Sequence, residues 1–134
     1  MTNKIIKEIY SQKEELLFKH LRIAGDFTEF FTPNSFPLQI GHVVKQNLSL
    51  VKKHKHDLNR EKINFTSEVL IIIKGELSYS IWDFDTPFEK LCSGTAVDGD
   101  LLILGRVAHS FICRKEVRLI EVKQGPYLKK TESE

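Results

Sequence analysis

A chain of 134 residues carrying 20 basic and 18 acidic side chains, net +2, has room for one domain, and its 41% hydrophobic and 28% charged content is that of a globular protein with a core. The basic residues alternate with acidic ones instead of forming a patch, which argues against nucleic acid as an obligate partner. The longest apolar run, VLIII, is too short to span a bilayer, so no membrane role is expected.

Along the chain, MTNKIIKEIY lacks the apolar stretch of a secretory signal, and Cys92 and Cys113 are too few for a disulfide framework. Both cysteines are expected to be small buried or half-buried residues, and the compartment to be the cytoplasm. The segment SQKEELLFKHL (11–21) can be read as helical from its Glu and Leu content, but the alternation from Leu17 to Ile23 favours a strand. FFTPNSF (30–36) reads as a loop turned at Pro33.

Six further segments read as strands: LQIGHVV (38–44), EVLIIIKG (68–75), LSYSIWDF (77–84), DLLILG (100–105), HSFIC (109–113) and VRLIEVK (117–123). Each is short, rich in β-branched or aromatic residues, and bounded by Gly, Pro, Asp or charges. Their spacing suits an antiparallel sandwich or a small barrel. TESE at the end is expected to fray.

In the 68–75 strand, Glu68, Leu70, Ile72 and Lys74 share one side and Val69, Ile71 and Ile73 the other. Both sides are largely apolar, so the strand should be buried on both faces, and an inward Glu68 needs compensation. Upstream, His54 and His56 on an extended chain would place two imidazoles on one face about 7 Å apart. Downstream, His109 heads a strand after the turn at Gly105. Three imidazoles and a carboxylate form a good ligand set for Zn, Mn, Fe, Ni or Co, with room for water or a substrate oxygen.

These residues resemble the cupin superfamily, whose first motif is G-x5-H-x-H-x(3–4)-E-x6-G and whose second is G-x5-P-x-G-x2-H-x3-N. His54, His56, Glu68 and Gly75 follow the first motif, with the six-residue Glu-to-Gly interval intact, and Gly99 and His109 follow the second. The His-x-His to Glu interval is eleven residues, Gly105 and Val107 stand where the family has proline and glycine, His109 arrives one residue early, and no asparagine follows. The resemblance covers about residues 38 to 124, after N-terminal strands or an arm (1–37) and before a short tail (128–134). EVKQGPY (121–127), FFTPNSF and TSEVLIIIKGELSYSIWD resemble, more narrowly, small single-domain cupins of unassigned function, some found among bacterial surface-polysaccharide genes.

The resemblance implies an all-β double-stranded β-helix (a cupin jelly roll), a homodimer, and one divalent metal held by His54, His56, Glu68 and His109. It points to a small polar or anionic molecule as ligand, with a sugar or sugar-nucleotide derivative first. A metal-dependent isomerase, epimerase or oxygenase is one expectation; a non-catalytic binding module or a metal-free isomerase/epimerase-like cupin is the other. No catalytic base stands out.

The remaining side chains have plainer readings. His42 is expected to be a satisfied core histidine, His20 a surface residue, and Trp82, Tyr79 and Phe111 packing residues. Arg60 and Lys62 read as a solvated loop, and Glu121 as a carboxylate that needs a partner or water.

Overall fold

The computed structural model describes residues 1–45, 47–55 and 65–124. Among them the structure is all β: ten strands, every pairing antiparallel, and no helix. The strands are β1 (Lys4–Tyr10), β2 (Leu16–Arg22), β3 (Glu29–Phe30), β4 (Gly41–His42), β5 (Glu68–Lys74), β6 (Glu76–Asp83), β7 (Lys90–Val97), β8 (Asp100–Leu104), β9 (Val107–Cys113) and β10 (Arg118–Lys123).

They form a five-stranded sheet in the order β1-β2-β8-β5-β10, a three-stranded sheet β7-β6-β9, and the small ribbon β3-β4. Phe18, Leu70, Ile72, Leu102 and Leu104 of the large sheet pack against Leu77, Tyr79, Ile81 and Ala96 of the small one, all nearly or fully buried. Burying these side chains between two sheets is the main source of stability, at about 1.5–3 kcal/mol for each large one. A second cluster, with Leu21, Val69, Leu101 and Ile103, lies on the outer face of the large sheet under Phe31 and Phe36.

Period two therefore works as the sequence suggests. Strand β5 sends Leu70 and Ile72 into the space between the sheets and Val69 and Ile71 to the outer cluster, with Ile73 reaching solvent. Residues 16–22 form a strand, as the alternation favours over a helix. Buried Lys19 ties the outer layer down: its Nζ donates to the Phe31 carbonyl at 2.9 Å and pairs with Glu8 at 2.9 Å.

Three elements differ from the sequence reading. The expected strand at 38–44 shrinks to Gly41–His42, whose only strand partner among the described residues is the two-residue β3. Strand β7, KLCSGTAV, carries small residues of low strand preference, and its long pairing with β6 holds it extended. Residues 51–55 lie in no strand and are exposed. KKHKH offers no alternate apolar side chains, so no face is buried to fix its register.

Gly75 makes the turn between β5 and β6 at φ +121, and a Cβ there would lie 2.3 Å from the Glu116 carbonyl oxygen. Only glycine meets both demands. We expect Gly75→Ala to lower stability by about 1–3 kcal/mol, read as a drop in the midpoint of urea unfolding with an unchanged slope.

Candidate functional site at the open flank

The two sheets have two flanks. On one, the Lys7 Nζ of β1 donates to the Ser93 carbonyl of β7 and closes the gap. The opposite flank is bordered by β10 and β9, the outermost strands there. Glu68, His109, Glu121 and Lys123 gather here.

Glu68 pairs with Lys123 across β5 and β10, and Glu121 pairs with Leu70, whose side chain is in the core. Residues that pair directly, or two apart, share a face, so Glu68, Glu121 and Lys123 all point to the inner side. On the other sheet His109 pairs with Ile81, which is fully buried between the sheets, so His109 also faces in. Its ring stacks on Phe111 with centroids 4.8 Å apart, and Phe111 packs on the core. The early arrival of His109 thus leaves its side chain on the inner face. Strand β9 begins at Val107, so His109 lies within the strand instead of heading it.

These groups act on one another. The Glu121 carboxyl is held below the usual carboxylate range, first by a hydrogen bond with Glu68, then by nearby Lys123 and His109, against the opposing effect of burial. Lys123 Nζ lies 3.7 Å from Glu121 Oε1. Glu68 is half-buried, with Glu121 and Lys123 as its neighbours at the strand ends. The compensation an inward glutamate requires therefore comes in part from β10, which makes Glu121 and Lys123 members of the site. VRLIEVK carries the signal, since a carboxylate amid apolar residues must meet a partner or water.

His54 lies outside the strands and is exposed, and its Nδ1 donates to the Lys52 carbonyl at 2.7 Å. That tautomer directs any metal coordination to Nε2. His56, Arg60 and Lys62 lie outside the described residues. Among the described residues, no group of three or more His, Cys, Asp or Glu side chains is placed to hold a metal ion. The structure brings Glu68 and His109 to one flank and places His54 on the exposed stretch before residue 56.

Other sequence expectations are corrected. His20 is not a surface residue but is fully buried. On β2 it follows Phe18 by two and so shares its inward face. Its Nε2 meets Asp100 Oδ2 at 2.7 Å and its Nδ1 meets the Tyr79 hydroxyl at 2.9 Å. With carboxylate on one side, Nε2 donates and Nδ1 accepts the hydroxyl proton of Tyr79. Asp100 also accepts from Arg22 Nε at 2.8 Å and from the Val97 N–H at 3.0 Å. Burial pushes the Asp100 carboxyl up, but hydrogen bonds from Arg22, Val97 and His20 outweigh it and hold the group below its usual range. Burial pushes His20 down despite Asp100, and pushes the Tyr79 phenol well up.

Tyr79 and Phe111 pack as expected. Trp82 faces away from the core on β6, with Lys90 5.1 Å from its ring centroid and Nε1 donating to Ser110. His42 is half-buried but not satisfied, since its Nδ1 is buried without a hydrogen-bond partner among the described residues. Cys92 is half-buried with its thiol pushed up by burial, and Cys113 is exposed. No helix among the described residues is long and apolar enough to cross a membrane. No family model matches the chain, and neither a curated protein nor a solved structure matches it.

Proposed function

We propose that this chain is a cupin-type jelly roll whose open flank binds a small polar or anionic molecule together with one divalent metal ion. A sugar or sugar-nucleotide derivative is the first substrate class to test. The observation that carries the reading is that Glu68 and His109, 41 residues apart in the sequence, face inward at the same flank beside Glu121. Carboxylate and imidazole are the donor types that Mn, Fe, Co, Ni and Zn share. Glu68 and His109 would hold the ion with His54 and His56. A bound divalent ion supplies Lewis acidity, polarising a carbonyl or hydroxyl oxygen of the ligand. Lys123 adds a cation for an anionic group, and Phe111 beneath His109 gives the site an apolar wall.

Metal analysis of protein purified without chelator tests the reading. The expected result is about one divalent ion per chain and a melting temperature that falls by several degrees on adding EDTA. Metal at trace level with no EDTA effect contradicts it.

A second reading, a metal-free site, is favoured by one feature: Glu68 and Glu121 are joined by a hydrogen bond and Lys123 pairs with Glu121, so the carboxyls are compensated by the protein itself. Under this reading, sugar phosphates raise the melting temperature equally with and without EDTA. Turnover of sugar nucleotides or keto sugars separates an enzyme from a binding module under either reading.

A further inference from the structure

Strands β5 and β8 are apolar on both faces, which gives the large sheet an apolar outer side that Phe31 and Phe36 cover in part. Beside that cover lies a groove of about 400 Å³, within the range of small-molecule sites. Its floor is Leu101, Ile71, Val69 and Val122, on three neighbouring strands. Ile71 pairs with Leu101 across β5 and β8, and Val69 with Val122 across β5 and β10. Val122 is 45% exposed, so the floor is accessible.

Polar side chains enter the lining only through Gln39 and His42. Gln39 is engaged, its Nε2 donating to the Pro33 and Phe36 carbonyls. His42 differs, because its Nδ1 is buried without a hydrogen-bond partner among the described residues. The acid opposite it on β3, Glu29, accepts from Asn3 instead. A buried polar atom that the protein leaves unpaired is uncommon and marks a place where a further group belongs.

Two constraints then define the occupant. A ligand with many hydroxyls would press them on the apolar floor and lose their hydrogen bonds to water. An apolar side chain of another protein would fill the floor and leave Nδ1 unpaired. A hydrocarbon with one oxygen group at its end meets both demands. We propose that the groove binds a short hydrocarbon ending in one hydroxyl or carboxylate, its body on the floor and its oxygen on His42. A half-turn of the imidazole about Cβ–Cγ exchanges Nδ1 with Cδ2 and brings the nitrogen to the ligand. A hydroxyl then donates to Nδ1, and a carboxylate accepts from it in the protonated tautomer. Val69 and Val122 face away from Glu68 and Glu121 on the same strands, so this site is separate from the open flank.

Calorimetric titration of the full chain with octanoate and with octanol tests the proposal. One molecule should bind per chain, with a Kd of ~100 µM or tighter and no change on adding EDTA. The tighter of the two probes identifies the end group. Val122→Asp, which sets a carboxylate in the floor, should weaken both at least ~10-fold. His42→Phe keeps a ring in the wall and removes its nitrogens, so it should weaken the tighter probe ~10-fold. Its urea midpoint should be no lower than that of the wild type, because no hydrogen bond is lost in the ligand-free chain. The absence of saturable binding, as when a protein segment fills the groove, would overturn the proposal. So would binding that depends on metal, or affinity unchanged by Val122→Asp or by His42→Phe.

Discussion

Asp100→Ala is expected to lower stability by about 3–5 kcal/mol, enough to leave much of a marginal domain unfolded near body temperature. Asp100 is fully buried and accepts from His20 Nε2, from two nitrogens of Arg22 and from the Val97 N–H. Removing its carboxylate strands all of these donors at once, the fully buried His20 among them. Tyr79→Phe is the milder companion. It removes the one hydroxyl that serves His20 Nδ1 and should cost about 1–3 kcal/mol. Urea unfolding followed by Trp82 fluorescence measures both, and equal losses for the two variants would contradict the assignment of Asp100 as the hub.

The same network makes stability depend on pH with a definite sign. His20 is lowered by burial, so the unfolded chain takes up a proton on this residue at a higher pH than the folded one. Its contribution is complete above the unfolded value of about 6.5 and is lost as pH falls from there towards the folded value. Asp100, also lowered, contributes above the unfolded carboxylate range and loses that contribution as pH falls through its folded value. Both effects lower the melting temperature on acidification, His20 acting first. His20→Gln should have a lower melting temperature at pH 7.5 and a flatter decline between pH 7 and 5 than the wild type.

The second large effect is expected at Glu68. Glutamine keeps the length of the side chain and can still donate a hydrogen bond to the Glu121 carboxylate. In metal-free protein Glu68→Gln should therefore change stability by no more than about 0.5 kcal/mol. Metal affinity should fall by more than the ~10–100-fold that follows loss of an outer-shell partner, because a charged ligand is replaced by a neutral amide. EDTA should then shift the melting temperature of the wild type and leave that of Glu68→Gln unchanged. A variant that unfolds early without metal, or still responds to EDTA, contradicts this role.

Much of the sheet structure is legible in the sequence because it follows from local chemistry. EVLIIIK and DLLIL are apolar enough to be buried wherever the chain goes, and alternation then decides which side each residue takes, while RLIEVK forms the expected strand on β5 with all six residues exposed. The same rule places Glu68 on the inward face and separates a strand from a helix in LLFKHLR. Carried through β2 and β6, it also puts His20 beside Phe18 in the core and Trp82 on the outside. What keeps His20 hidden is its partners, Tyr79 and Asp100, 59 and 80 residues away. Strand β7 is invisible for a different reason, since Ser93, Gly94 and Thr95 are extended by pairing with β6 and not by their own preference. Gly94 is also required there, because a Cβ would lie 2.4 Å from the Tyr79 hydroxyl. At the open flank, Glu68 and His109 are identifiable from the sequence, whereas the part played by Glu121 and Lys123 depends on the register of β10 against β5.

The central claim is that the open flank holds one divalent ion through Glu68 and His109. Calorimetric titration of metal-stripped protein with Mn²⁺ and Zn²⁺ tests it most directly, run side by side on the wild type, Glu68→Gln, His109→Ala and the His54→Ala/His56→Ala pair. The account predicts one ion per chain for the wild type and loss of measurable binding in each variant. Absence of binding to the wild type, or affinity unchanged by Glu68→Gln and His109→Ala, would contradict it.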